Sequence, residues 1–434
     1  MLFLGLMIPA SAESSLKFSD RIEEYKLSNN LKVILIKDSR SPSVVSSIWY
    51  KVGSSYEYDG ITGISHVLEH MMFKGTSNTE PGEFSKKIKE VGGSENAFTG
   101  RDFTGYYQKV HKDFLEVSLK FESDRMSNLV FNENELKSEK EVVKEERRLR
   151  TDDQPISKVF EKIGIQALGM SGYGIPIIGT MKDIENINTD ELKKWYFNFY
   201  VPNNATLIIA GDFDIDNTKE LIQKYYGKIP SRNVKDLATK KDYVLSYNDI
   251  KVLDKVSEPL ILLSFKNKSF DLKNKKEVYA MELLLELMDG SSASRFTKNL
   301  VDTKKIALNT FISFDSYSRE ENLITIGGSP RTDIDPNTLK KAIFDEFHSF
   351  IKNGLLDDEL SNTKSRLLAN NIYKFDSVFY QAMQVGMLET KGFNWKLLDE
   401  YIEDINNVTE SDLVNVAKKI VNNNYIYSLI EPKL

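Results

Sequence analysis

The sequence predicts an α+β protein of two homologous, duplicated domains, each an antiparallel-leaning sheet with helices packed on one face. Three observations lead to this fold class. A chain of 434 residues exceeds the length that one hydrophobic core ordinarily serves. Short runs of β-branched and aromatic residues alternate with amphipathic helical patterns. The second half of the chain also repeats a pattern found in the first half.

The repeat is clearest in two segments 221 residues apart, 184–192 (IENINTDEL) and 405–413 (INNVTESDL). In each segment a Thr and an Asp are suited to cap a following amphipathic helix. The same offset pairs Asn203 with Asn424 and lays the strand pattern of 205–209 near that of 426–430. Because this offset is close to half the chain, the repeat indicates an internal duplication.

Local patterns place the elements of the first half. Strands are expected at 32–36 and 44–52, and strand character returns from 98 to 110. Helices are expected over 63–75, 81–91, 112–129 and 134–150. The last two helices are long and highly charged.

Composition and motif positions divide the chain into four parts. We expect a signal peptide over 1–12, a first domain over 13–232, a polar linker over 233–248 and a second domain over 249–434. The signal segment has an apolar run followed by Ala10-Ser11-Ala12, an A-x-A-like cleavage site, but no Lys or Arg precedes the run. A disordered apolar terminus is the alternative. A signal peptide predicts a periplasmic or exported protein, and no later stretch reaches transmembrane length.

Composition excludes several classes of function. The formal net charge of −6 argues against nucleic acid as the main partner, since there is no excess of phosphate-neutralising side chains. Hydrophobic residues make up 41% and charged residues 28%, which is typical of a globular protein without membrane spans. The chain has no cysteine, so a transition-metal site must use His and carboxylate ligands.

The chemistry-bearing motif is H-x-x-E-H. His66 and His70 lie four positions apart with Glu69 between them, and the chain has only four histidines. On a helix these three side chains project from one face. Two imidazoles there can hold one zinc ion, while the carboxylate acts on a water molecule at the metal. Zinc-dependent peptide hydrolysis is therefore the leading hypothesis.

A catalytic zinc needs a third protein ligand. Spacing alone does not choose among the remaining candidates, which are His111, His348, Glu135, Glu139, Glu141, Glu145 and Glu146. A helix rich in Lys and Glu is usually a solvated face. From the residues alone the third ligand stays open.

Four stretches carry a family resemblance: 66–75 (HVLEHMMFKG), 92–99 (GGSENAFT), 102–107 (DFTGYY) and 139–146 (EKEVVKEE). Together they resemble the pitrilysin and mitochondrial processing peptidase family of zinc metallopeptidases, in its bacterial processing-peptidase-like branch. The resemblance covers nearly the whole chain. It implies a processing-peptidase-like metallohydrolase fold of two homologous domains, of which only the first has the zinc motif.

The resemblance also implies roles for particular residues. Glu146 becomes the third ligand of one Zn²⁺ per chain, and Glu139 holds a ligand or the water network in place. Asn96 becomes a donor to the backbone of a peptide substrate; a turn residue after two glycines is the other interpretation. Glu69 becomes the general base.

One departure from the family pattern concerns the second domain. Active single-chain members resembling this one supply an Arg and a Tyr at positions that here hold Val301 and Leu308, neither of which donates a hydrogen bond. Oxyanion stabilisation needs such donors. We therefore expect a homologous partner subunit, in a heterodimer, to supply the missing pair, and the chain alone to bind zinc but cleave peptides poorly. The competing explanation is a weakly active protein with other donors.

Three other functions compete with the peptidase hypothesis. A non-catalytic assembly subunit of a larger complex is the main alternative, but it has no need of an open metal site. A structural zinc protein is disfavoured because structural sites usually close with four ligands, often Cys. Processing of targeting sequences in an organelle is disfavoured because the N-terminus is not Arg-rich.

Overall fold

The computed structural model describes residues 18–236 and 245–433. The predicted signal peptide over 1–12 and the middle of the predicted linker lie outside these residues. We call 18–236 the first half and 245–433 the second half. Within the described parts, no helix combines the length and hydropathy that a membrane span requires.

The first half contains a six-stranded sheet with the order β1-β2-β6-β3-β5-β4. Its strands are β1 (Ile22–Lys26), β2 (Lys32–Lys37), β3 (Ser43–Tyr50), β4 (Ser94–Thr99), β5 (Thr104–His111) and β6 (Ala205–Gly211). The pair β2/β6 is parallel and the other pairs are antiparallel. Strand β4 forms a free edge.

The second half contains a five-stranded sheet with the order β7-β11-β8-β10-β9. Its strands are β7 (Ile250–Asp254), β8 (Leu260–Asn267), β9 (Ala307–Ser313), β10 (Asn322–Pro330) and β11 (Tyr425–Pro432). Only β7/β11 is parallel. The strand order and the parallel or antiparallel direction of each pair match those of β2-β6-β3-β5-β4 in the first sheet. The described residues therefore form two copies of one topology. The predicted fold class is confirmed.

Helices fill the connections of both halves. Those of the first half are α1 (Ile64–Met71), α2 (Glu83–Glu90), α3 (Leu115–Asn128), α4 (Glu133–Arg147), α5 (Pro155–Leu168), α6 (Met181–Asn186), α7 (Thr189–Phe199) and α8 (Ile215–Tyr226). Those of the second half are α9 (Lys275–Asp289), α10 (Pro336–Asn353), α11 (Glu359–Lys374), α12 (Val378–Thr390), α13 (Leu397–Asn406) and α14 (Glu410–Val421).

Several predicted elements differ from the structure. The helix expected over 63–75, for example, ends at Met71. The single strand expected over 98–110 is the end of β4, a turn and β5, because Gly100 and the residues around it reverse the chain. The helix expected over 134–150 ends its α-helical part at Arg147 and continues as a wider turn over Arg148–Asp152.

Repeated local contacts support the duplication. Asn188 and Thr409, 221 residues apart, each begin a helix with a capping box, completed by Glu191 in α7 and by Asp412 in α14. The first cap is therefore Asn188 and not the threonine that follows it. Lys140 in α4 donates to the carbonyls of Glu185 and Ile187, just as Lys364 in α11 donates to those of Asn406 and Val408. Helix α4 thus corresponds to α11.

The helix packing has a feature that the sequence did not predict. Helices of the same half cover one face of each sheet, as expected. The opposite face is covered by a helix of the other half: α12 packs on β3 and β6, and α5 packs on the second sheet beside Leu262 and Ile430. The halves therefore exchange equivalent helices, and both central sheets are buried on both faces.

The α12 contact predicts a strong effect of a small substitution. A Cβ atom at Gly386 would lie 2.0 Å from the Trp49 indole, which is itself buried. Gly386→Ala should therefore lower the free energy of unfolding by about 1–3 kcal/mol through overpacking. The matched control is Gly164→Ala in α5, where a Cβ meets nothing within 4 Å. Urea denaturation of both variants checks this; equal stability of the two would contradict the packing.

Candidate metal centre

Helix α1 begins in a way that fixes its motif residues. Gly63 adopts φ of +88°, where a Cβ would lie 2.6 Å from the Ile178 carbonyl oxygen, so glycine is required there. The buried Glu57 carboxylate accepts hydrogen bonds from the Gly63 and Ser65 N–H groups, at 2.6 and 2.9 Å. Glu57 thus caps the first turn in place of a side chain at the helix start.

Three possible ligand atoms converge between α1 and α4. The Glu146 carboxylate Oε2 lies 3.8 Å from His66 Nε2 and 3.5 Å from His70 Nε2. One ligand atom from each of these residues lies within 4.8 Å of the others, and they form the only such group among the described residues. The structure therefore brings together the three predicted ligands and leaves His111 and His348 elsewhere.

The protonation of His66 fits a cation at this place. Burial, reinforced by the nearby His70, lowers the pKa of His66 to about 4, so His66 is neutral near pH 7. At 3.8 Å, His66 Nε2 and the Glu146 oxygen face each other beyond hydrogen-bonding distance. Two electron-pair donors in this arrangement are stabilised by a positive ion between them. A His₂Glu set is one that zinc accepts in catalytic sites.

Further contacts hold two of these three side chains. Glu139 Oε2 lies 3.0 Å from His70 Nδ1, and its other oxygen lies 2.6 Å from Lys74 Nζ. This arrangement orients the ring and leaves His70 Nε2 facing Glu146. Arg150 Nη1 lies 2.7 Å from Glu146 Oε1, which leaves Oε2 facing the histidines. Glu139 therefore lies beside His70, one of the predicted ligands.

Glu69 lies beside this group with a partner of its own. The Thr99 hydroxyl donates to Glu69 Oε2 at 2.5 Å. Burial raises the pKa of Glu69 above its ordinary value, although the bond from Thr99 opposes the rise. A carboxylate with a raised pKa accepts protons more readily near neutral pH.

The cleft around these residues has a volume of about 670 Å³ and runs along the free edge of β4. Exposed Asn96 lies on it, and its side-chain oxygen accepts from the Ala97 N–H at 2.9 Å. All the described residues that line the cleft belong to the first half. Val301 and Leu308 are therefore not on its wall, and the second half supplies no donor there.

Sequence reasoning gave no role to two residues of this site. Thr99 belongs to a quoted motif, but its contact with Glu69 depends on how β4 passes α1. Arg150 lies one helical turn after Glu146, a spacing that suggests an ion pair on a continuous helix. That spacing was the one available signal.

The second half has an equivalent position without the same ligands. Buried Ile64, Val67, Leu68 and Met71 of α1 correspond to buried Ala280, Leu283, Leu284 and Leu287 of α9. His66 and His70 then correspond to Glu282 and Glu286, and Glu146 corresponds to Asn370. These three residues line a cavity of about 380 Å³. The histidines are replaced by carboxylates, which explains why a metal group is found only in the first half of the described chain.

This cavity predicts a pH effect on stability. Burial raises the pKa of Glu282 to about 7, whereas an unfolded glutamate titrates near 4.5. The native state therefore binds the proton more tightly, and the associated stability is present below pH 4.5 and lost as the pH rises through 7. Glu282→Gln should remove this loss. The difference in free energy of unfolding between this variant and the wild type should therefore shift by about 1–3 kcal/mol in favour of the variant from pH 5 to pH 8. Urea denaturation at both pH values checks this, with exposed Glu277→Gln as the control. An equal difference at both values would contradict it.

Comparisons with known proteins identify relatives of this chain. The family model described as Insulinase (Peptidase family M16) matches residues 32–181, and the one described as Peptidase M16 inactive domain matches 186–367. The chain is 31% identical to the zinc protease PqqE of Helicobacter pylori, over 82% of this chain and 80% of that protein. It is 28% identical to the uncharacterized zinc protease YmxG of Bacillus subtilis, over 95% and 98%.

Solved structures share the fold. A protease from Helicobacter pylori superposes with a TM-score of 0.86 at 27% identity, covering 95% of this chain and 99% of that one. The periplasmic protease PqqL of Escherichia coli superposes with a TM-score of 0.81 at 17% identity, covering 95% of this chain but 48% of that one. With both family models matched along most of its length, this chain belongs to the M16 family of peptidases.

Proposed function

We propose that this chain is a zinc-dependent endopeptidase that holds one zinc ion between His66, His70 and Glu146. The observation that carries the proposal is the convergence of these three ligand atoms beside Glu69 in an open cleft. The relatives named zinc proteases support the choice of metal.

The chain's own residues supply the proton chemistry. Zinc bound here would polarise the scissile carbonyl and make a water molecule more acidic. Glu69 takes the proton from the attacking water and later delivers it to the leaving amine. The Thr99 hydroxyl fixes the carboxylate in the orientation for both transfers. Glu139 keeps the His70 ring in its binding orientation.

The free edge of β4 supports short or unfolded peptides as substrates. An unpaired strand edge presents N–H and C=O groups to which an extended peptide can add as a further strand. The Asn96 side chain now accepts from the Ala97 N–H, so a peptide carbonyl would replace it there. The released Asn96 amide would then donate to the peptide backbone. Most segments of a folded protein are already paired or buried, so they are not available to this edge.

A partner subunit is proposed to complete the site. The tetrahedral oxyanion needs donors besides the metal. Arg150 is paired with Glu146, and Arg101 on the cleft wall is held by the Tyr173 carbonyl and ring. Val301 and Leu308 cannot donate. This chain covers 48% of PqqL, so that a longer chain has room for two such units, and we propose that here the two units are separate subunits of a heterodimer.

PqqL of Escherichia coli is a periplasmic protease, and this supports, together with the pattern of residues 1–12, a periplasmic or exported location. A non-catalytic assembly subunit is the second candidate function. It is favoured by the absence of second-half donors from the described cleft and by the description of the model matching 186–367 as an inactive domain.

The test is a cleavage assay on the purified, zinc-loaded chain with a mixed library of unstructured peptides. The assay is run with the chain alone and with a homologous subunit co-purified from the source cell. We expect one zinc per chain, little cleavage alone and strong cleavage in the pair. Strong cleavage by the chain alone would reject the need for a partner. Zinc binding without cleavage in either preparation would favour the assembly subunit.

A further inference from the structure

We propose that Arg319, in the second half of the chain, is a positioning residue for the catalytic site of the first half. It fixes the turn between β4 and β5, and through Thr99 it fixes the Glu69 carboxylate. The inference rests on the proposed peptidase function. It gives the second half a role at the site, although Val301 and Leu308 do not reach the cleft.

The turn between β4 and β5 contains a buried carboxylate. Asp102 is only 1% exposed, and it accepts hydrogen bonds from the Ser55 and Tyr173 hydroxyls. Arg319 Nε donates to Asp102 Oδ1 at 3.0 Å and is the only cation paired with it among the described residues. A buried carboxylate without a cation is strongly destabilising, so the turn depends on this arginine.

Several contacts fix the geometry of Arg319. Its Nη2 donates to the Ser55 hydroxyl at 2.8 Å, and its backbone N–H donates to the Tyr173 hydroxyl at 2.9 Å. The guanidinium also lies over the Tyr56 ring, 4.7 Å from its centre. These contacts come from a connection between β9 and β10 that lies 217 residues from Asp102 in sequence. A lysine cannot reproduce this fork of donors.

Hydrogen bonds connect this turn to Glu69, the proposed general base. The Ser54 and Ser55 N–H groups donate to the Gly100 and Arg101 carbonyls at 3.1 and 2.9 Å. Arg319 thus holds both sides of the turn, through Ser55 and through Asp102. Thr99 ends β4 directly before this turn and donates to Glu69. A displacement of about 1 Å in a catalytic group can cost about 100-fold in rate.

The proposal is tested with Arg319→Lys in the full chain, in the assembly in which the wild type cleaves peptide. We expect kcat to fall about tenfold or more, with KM changed less than about twofold and zinc content unchanged. In a Thr99→Val background the same substitution should have little further effect, because both act through one contact. Arg331→Gln, an exposed arginine of the second half, is the matched control.

Two further measurements separate positioning from folding. If Arg319→Lys does not fold, it is replaced in these measurements by the double variant Arg319→Gln/Asp102→Asn. This double variant removes both charges of the ion pair. Amide hydrogen exchange should become faster at residues 99–103 in the variant and stay unchanged in β9. Unchanged exchange at 99–103, or additive effects of Arg319→Lys and Thr99→Val, would overturn the proposal. If the wild type cleaves nothing, the peptidase function fails, and the exchange result still decides whether Arg319 fixes the turn.

Discussion

Glu69→Gln is expected to reduce peptide cleavage by about 10²–10⁴-fold while zinc remains bound. The amide has nearly the shape of the carboxylate but cannot accept the proton of the attacking water. Glu69 is not one of the three converging ligand residues, so zinc content measured by mass spectrometry should equal that of the wild type. The measurement is kcat/KM on one peptide, in the assembly in which the wild type is active.

The control for Glu69→Gln is Glu90→Gln in α2, an exposed glutamate paired with surface lysines. It should cleave as the wild type does. Full activity of Glu69→Gln would reject the general-base role, and a loss of zinc would show that the substitution disturbs the metal site instead.

Glu146→Gln is expected to remove both zinc and activity. An amide is a much weaker zinc ligand than a carboxylate, and the variant would leave only two histidines. Removing a residue that only orients a ligand costs about 10–100-fold in metal affinity, so removing the ligand should cost more than about 100-fold. A zinc titration with a competing chelator measures this change.

Glu145→Gln offers a closely matched comparison for that variant. Glu145 is the neighbouring residue of α4, but it is exposed and pairs with Arg148 on the surface. Its affinity for zinc should equal that of the wild type. If both variants bind zinc equally well, Glu146 is not a ligand, and the third ligand has to be sought elsewhere.

The sequence alone predicted the part of the site that depends on the spacing of residues along one helix. His66, Glu69 and His70 lie within one helix, so their common face follows from 3.6 residues per turn. The third ligand does not follow in this way, because several glutamates of α4 have similar surroundings in sequence. The packing of α4 against α1 brings Glu146 and Glu139 close to the two histidines, and only the family resemblance had singled out these two glutamates.

The contacts between the two halves were the least predictable from the sequence. An amphipathic pattern shows that α5 and α12 have an apolar face, but not which sheet covers it. Arg319 lies in a connecting loop, and its partner Asp102 lies more than 200 residues away. The duplication, in contrast, was predictable, since the capping segments of α7 and α14 keep one offset.

The most direct test of the central claim is anomalous diffraction at the zinc absorption edge, from crystals of the zinc-loaded chain. The structure predicts a single peak, bounded by His66 Nε2, His70 Nε2 and Glu146 Oε2. It predicts no peak in the second-half cavity beside Glu282 and Glu286. A peak in that cavity, or no peak between the two histidines and Glu146, would contradict the account.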